Sequence, residues 1–282
     1  MNTNTKIIAV VAVIVIVAAG AWLALGHNNN NGDDTVTITI AGSTTVAPIM
    51  MAVEEVYEKE NNVDLQITAN GSGAGASAAI NGTADIGMLS RDLKASEVES
   101  GLVSTTIGLD GIAVIINSNV TGVTNLTVEQ LAKIYSGEIT NWSEVGGNNL
   151  KISVISREDG SGTRDGFESA MVKVDSNFEI LTEKIEVAST NAVISSVDRT
   201  SGSIGYISVG YTSKIGSNTV LLEVNGVEAT AENVVNGTYA IQRDLILATK
   251  GEPTGEVADL INWILSDAGQ ALVEEKGYVP LS

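Results

Sequence analysis

The sequence predicts an α/β fold of parallel strands covered by helices, and three observations predict it. Apolar strand-like segments alternate with amphipathic helical ones along the chain after Asp34. Hydrophobic residues make up 44% but aromatics only 4%, so the core is built from Val, Ile, Leu and Ala, which suits buried strands. Loops rich in glycine and hydroxyl side chains stand where strands give way to helices. About 250 residues follow the N-terminal apolar stretch, enough for two small α/β domains or one large one.

Strands are expected over 36–41, 65–68, 85–89, 111–117, 150–155, 204–208 and 220–224, with one more inside 240–249. A helix is expected over 48–60, with Pro48 in its first turn, where a missing N–H costs nothing. Thr127 and Gln130 have the spacing of a capping box, which starts a helix running to Tyr135. Helices also follow from about Asp165 and over 192–199. The longest expected helix covers 254–275 and stops at Gly277.

Ahead of this body, residues 7–26 form an uncharged apolar run of 20 residues. At 1.5 Å per residue such a run spans about 30 Å, a hydrocarbon core. Lys6 precedes it, while Asp33 and Asp34 follow it. The positive-inside rule then puts residues 1–6 in the cytoplasm, an anchor or signal segment at 7–26, a polar tether at 27–34, and the rest outside. Six N-x-S/T sequons, at Asn70, Asn81, Asn119, Asn125, Asn141 and Asn236, fit an exported chain.

Composition excludes several functions. There is no cysteine, so neither disulfides nor thiolate chemistry is possible. The one histidine, His27, sits in the tether, which removes a Ser-His-Asp triad and His-rich metal sites from the body. A net charge of −19 disfavours nucleic acid as a partner. No cofactor motif is complete: GSGAG lacks the GxGxxG spacing, and GxxxxGK[ST] is absent.

Four junctions could carry chemistry: 42–45 (GSTT), 71–75 (GSGAG), 90–92 (SRD) and 157–164 (REDGSGTR). At a helix start the first N–H groups lack intrahelical partners and the dipole is positive, so a small oxyanion is welcome there. Ser and Thr add donors, and Arg91 and Arg157 could add charge-assisted bonds. Taken singly, each loop also reads as an ordinary N-cap. Asp92 stands apart. A carboxylate repels an oxyanion unless the ligand brings a proton, as phosphate does and sulfate does not, so a desolvated Asp92 would read that proton. It could equally pair with Arg91 or cap the helix near Lys94.

With these segments in their order, the chain resembles the phosphate-binding proteins of phosphate ABC importers, in the type II periplasmic-binding-protein superfamily. The matching stretches are AGSTTVAP (41–48), GSGAG (71–75), ADIGMLSRD (84–92), GLDGIAVIIN (108–117), YSGEITNW (135–142) and REDGSGTR (157–164). The resemblance implies a two-lobed type II periplasmic-binding-protein fold with a two-stranded hinge, here preceded by one transmembrane helix. Lobe one would hold 35–111 and 241–282, and lobe two 112–240. It implies phosphate bound by Ser43, Thr44 and Thr45, with Ser72 adding a hydroxyl. Asp92 would accept the proton, Arg157 would supply charge, and Ser161, Gly162 and Thr163 the opposing helix start. It assigns no role to Arg91 or Arg164. The implied partners are inorganic phosphate and the importer's permease subunits, with the chain a monomer, no enzyme and without cofactor or metal. Other oxyanions on the same scaffold (sulfate, molybdate, tungstate) and an extracellular enzyme or surface-interaction protein remain as alternatives.

Overall fold

The computed structural model describes residues 35–281. The segment expected to anchor the chain, 7–26, and the tether at 27–34 lie outside the described residues. Among those described, no helix is long and apolar enough to cross a membrane.

The elements run β1 (Val36–Gly42), α1 (Ala47–Glu60), β2 (Val63–Ala69), α2 (Ser72–Asn81), β3 (Ile86–Leu89), α3 (Ala95–Glu99) and β4 (Leu102–Asn117). They continue through β5 (Asn125–Leu126), α4 (Val128–Ser136), β6 (Ser153–Arg157), α5 (Gly162–Val172), β7 (Ile185–Val187) and α6 (Thr190–Arg199). The last are β8 (Ser203–Ser208), β9 (Thr219–Val224), α7 (Ala231–Val235), β10 (Gln242–Lys250), α8 (Gly255–Ile264) and α9 (Asp267–Glu275).

Local chemistry accounts for many of these limits. In α1, Ile49, Met50, Val53 and Tyr57 recur at helical spacing and are buried, with Pro48 at the start. The Thr127–Gln130 capping box forms as expected: Gln130 N–H donates to Thr127 Oγ1 at 3.1 Å and Thr127 N–H to Gln130 Oε1 at 2.9 Å. The single helix expected over 254–275 is instead two. Ser266 adopts extended backbone between them, and the Gln270 amide donates to the Ile264 carbonyl left at the break, at 2.9 Å.

The main sheet has the order β2-β1-β3-β10-β4-β8-β6-β7, with β9 paired to β4 and β5. It is mixed rather than parallel. β1 runs parallel to β2 and β3, and β6 to β7 and β8, but β10 is antiparallel to both β3 and β4. The strand expected at 111–117 is the far half of the 16-residue β4. Its near half, from Leu102 to Gly111, pairs with β10, and its far half pairs with β8 and β9.

That change of partner separates two cores. One gathers Ile38, Ile40, Met50, Ile86, Ile107, Leu245, Leu247 and Leu260; the other gathers Ile112–Ile116, Leu131, Tyr135, Phe167, Val197 and Tyr206. A small satellite around Ala76, Ala79 and Leu89 lies beside the first. β4 and β10 pass side by side from one core to the other, joined at Arg243 opposite Asp110 and at Ile112 N–H donating to Ile241 O at 2.8 Å.

Candidate functional site

Between the two cores, polar side chains from distant parts of the sequence meet out of water. Ser43, Thr45, Ser72, Ser90, Arg157, Ser161, Thr163 and Arg243 are all buried, as is Asp110. Sheet order brings most of them together. β1 and β3 are parallel neighbours with Gly42 opposite Met88, so the residues leaving both strands, Ser43 and Ser90, arrive side by side. Ser43 N–H donates to Met88 O at 2.8 Å and Ser43 Oγ–H to Ser90 Oγ at 2.9 Å. Because β10 is antiparallel to β3, its beginning lies at the same edge where β3 ends. Arg243 therefore stands over Ser90, donating from Nη1 to its carbonyl at 3.1 Å and to its hydroxyl at 3.3 Å. Its Nη2 reaches Thr45 Oγ1 at 3.3 Å.

Two helix starts close on this group. Ser72 opens α2, and its Oγ accepts from Ser90 N–H at 3.1 Å. From the other core, α5 presents Gly162 and Thr163, and Thr163 Oγ1 lies 3.2 Å from Thr45 Oγ1. A Cβ on Gly162 would collide with the Ser72 and Ser90 hydroxyls, so only glycine lets the helix approach this far. Ser161 caps α5, its Oγ accepting from Arg164 N–H at 3.4 Å, the ordinary N-cap role. Thr44 is half-buried, and what is engaged is its carbonyl, which accepts from Tyr211 Oη at 2.8 Å, while Tyr278 Oη donates to Thr45 O at 2.7 Å. Burial pushes the Tyr211 hydroxyl up to about 12, so it stays a donor.

Each arginine at the site is held by a carboxylate. Arg243 makes a two-point pair with Asp110, at 2.7 and 3.0 Å, and Ser208 Oγ donates to the other Asp110 oxygen at 2.7 Å. Burial pushes the Asp110 carboxyl up, and Arg243 and Ser208 oppose that push. Arg157 donates to both oxygens of Glu158 at 2.8 Å, and its Nη1 lies 3.4 Å from Thr190 Oγ1 at the start of α6. The two pairs are formally neutral together. An anion entering here meets hydroxyls, backbone N–H groups and helix starts rather than unpaired charge.

Asp92 does not join them. It is exposed, and its backbone carbonyl accepts from Arg91 Nη1 at 2.8 Å. Two residues beyond Ser90, the chain has already turned outward, so the side chain expected to read a proton faces water. Ser90 holds the place inside. Arg91 turns to Glu97 and Asp165, and Arg164 to Asp159 and Glu168. Sequence reasoning singled out Ser90 only as part of its loop and named neither Arg243 nor Asp110, which the structure brings to the same place. A signal was available for Asp110, the one charge within the apolar stretch GLDGIAVIIN, whereas Arg243 sits beside Asp244 in AIQRDLILAT and does not stand out.

A family model described as a PBP superfamily domain matches residues 28–268. The phosphate-binding protein PstS of Borreliella burgdorferi is 35% identical over 245 residues, covering 84% of this chain and 88% of that protein. Its counterpart in Bacillus subtilis is 33% identical over 248 residues, covering 86% and 80%. A phosphate ABC transporter substrate-binding protein of Clostridium perfringens, solved with bound phosphate, superposes with a TM-score of 0.80 at 37% identity, covering 87% of this chain and all of that one. An ABC-type phosphate transport receptor of Vibrio cholerae gives 0.73 at 34%, covering 86% of this chain. With the two-core α/β architecture and the buried hydroxyl cluster between the cores, these likenesses place the chain in the PBP superfamily, in the family of PstS phosphate-binding proteins.

Proposed function

We propose that this protein captures inorganic phosphate outside the cell and delivers it to the permease subunits of an ABC importer, without chemical turnover. The observation that carries the reading is the convergence of Ser43, Thr45, Ser72, Ser90 and Thr163 with Arg243, all buried between two cores joined by β4 and β10. Lobe one comprises 35–111 and 241–282, and lobe two 112–240, closing on the anion about these two strands. Thr45, Ser72, Ser90 and Thr163 offer hydroxyls, and the α2 and α5 starts offer N–H groups. Arg243 supplies the nearest charge, and Arg157 a second. Ser43 and Ser161 serve by shaping the loops, and Thr44 by its backbone. Segment 7–26 holds the chain in the membrane as a single span, with the binding body on the outer side. The receptor works as a monomer and, with its net charge of −19, has no nucleic-acid partner.

One observation gives weight to a second oxyanion. Asp92 faces water, and the site carboxylates Asp110 and Glu158 are both tied to arginines, so none is free to reject sulfate by repulsion. Calorimetric titration of the phosphate-stripped full chain in detergent, with phosphate and then sulfate, separates the two. Micromolar or tighter binding of phosphate alone, one per chain, supports the phosphate receptor. Sulfate binding at similar strength would make it a general oxyanion receptor, and silence from both would end the proposal.

A further inference from the structure

Arg91 has no task in the site described, yet it is buried and doubly paired. Its Nη1 and Nη2 donate to the two Glu97 oxygens at 2.8 and 2.7 Å. Glu97 also accepts from Lys94 N–H at 2.8 Å, so the guanidinium is fixed within its own loop, between β3 and α3. On its remaining edge, Nε lies 2.7 Å from Asp165 Oδ2, and Lys94 Nζ lies 3.3 Å from the same oxygen. The Arg91 side chain is 6% exposed and that of Asp165 22%.

The two partners belong to different cores. Arg91 follows Ser90 at the end of β3, whose Ile86 and Met88 lie in the first core. Asp165 is in the first turn of α5, whose Phe167 and Met171 lie in the second. Asp165 also sits two residues past Thr163, on the helix that brings Gly162 and Thr163 against Ser72, Ser90 and Thr45. The approach that brings α5 onto the anion site therefore also brings the carboxylate onto Arg91.

We propose that Arg91 and Asp165 are positioning residues that latch the closed state, raising phosphate affinity without touching phosphate. This rests on the receptor reading above. Glu97 takes the Nη1 and Nη2 of Arg91, so the buried Nε edge meets a carboxylate only when Asp165 arrives. The contact exists in the closed form alone, and binding is strengthened in proportion to how far the closed form is favoured. Its exposure lies between that of surface pairs, which contribute little, and fully buried ones, whose disruption is severe.

The test uses the full chain in detergent, stripped of phosphate, as wild type and as Asp165→Asn. Phosphate affinity should fall about tenfold, chiefly through faster release, because the pair forms after the anion is in place. The ratio of phosphate to sulfate affinity should not move, and neither should the melting temperature of the phosphate-free protein. Arg91→Gln should cost a similar factor, and the double variant little more than either alone. Unchanged release from Asp165→Asn, while the wild type binds phosphate, overturns the latch. So does a changed anion ratio, which would make the pair a ligand contact, or a lower phosphate-free melting temperature, which would make it merely structural. A wild type that binds no phosphate overturns the receptor reading itself.

Discussion

Arg243 and Asp110 show how one residue pair ties ligand binding to the hinge. They face each other across β10 and β4, where the chain passes between cores, and the arginine reaches Ser90 and Thr45 from there. Arg243→Ala would leave the Asp110 carboxylate buried with only neutral donors, the Ser208 hydroxyl and the Val209 N–H, to answer it. Breaking such a pair costs about 3–5 kcal/mol of stability. The expected result is a marked fall in melting temperature together with loss of measurable phosphate binding by calorimetry. Full retention of binding would remove Arg243 from the site. Asp92 makes the opposite case, since its side chain points into water. Asp92→Asn should leave both phosphate affinity and the phosphate-to-sulfate ratio within about twofold of wild type, in keeping with the small effect of surface substitutions. A selective gain in sulfate binding would return Asp92 to the site.

At the scale of elements, the site is made by ends rather than by middles. β1 and β3 deliver Ser43 and Ser90 at their C-terminal ends, α2 and α5 deliver their N-termini, and β10 delivers Arg243 at its beginning. The loop between β3 and α3 keeps its shape through Glu97. Burial pushes that carboxyl up, but Arg91 and the Lys94 N–H outweigh burial and hold it below its ordinary 4.5. A depressed carboxylate stabilises the fold above its unfolded value and loses that contribution as pH falls through the folded one. Glu97→Gln should therefore lower the melting temperature near neutral pH, and the gap to wild type should close as pH drops below about 4.5. A gap that persists unchanged at lower pH would show that the ionised form of Glu97 is not what stabilises the loop.

At the scale of the molecule, two cores share one mixed sheet and meet over a buried polar patch. Contacts across that meeting include Thr45 with Thr163, Tyr211 with the Thr44 carbonyl, Gly73 N–H donating to Gly160 O at 2.8 Å, and Arg91 with Asp165. These contacts hold the two cores against each other. A ligand that binds only this arrangement stabilises it by mass action, about 2.7 kcal/mol at a hundredfold excess over Kd. Phosphate should raise the melting temperature and reduce the radius of gyration in solution scattering. A rise in melting temperature with no compaction would place closure before binding and not after it.

Much of this molecule was legible in its sequence because the signals are local. Periodicity marked most strands and helices, the Thr127–Gln130 spacing marked a cap, and the strand-to-helix loops marked Ser43, Thr45, Ser72, Gly162 and Thr163. Each depends on residues within a turn or two of one another. The tertiary structure decided what depends on distant ones. Inserting β10 antiparallel between β3 and β4 carried Arg243 to Ser90, 153 positions away in the chain, and with the antiparallel pairing of β4 to β8 and β9 made the sheet mixed. Which residue of Ser90-Arg91-Asp92 faces inward was set by how the chain leaves β3 and by what awaits it: Arg243 and Ser43 for Ser90, Glu97 and Asp165 for Arg91, and solvent for Asp92. Hydrogen bonding within a segment is encoded where the segment is, whereas a side chain's environment is supplied by whatever the sheet order packs against it.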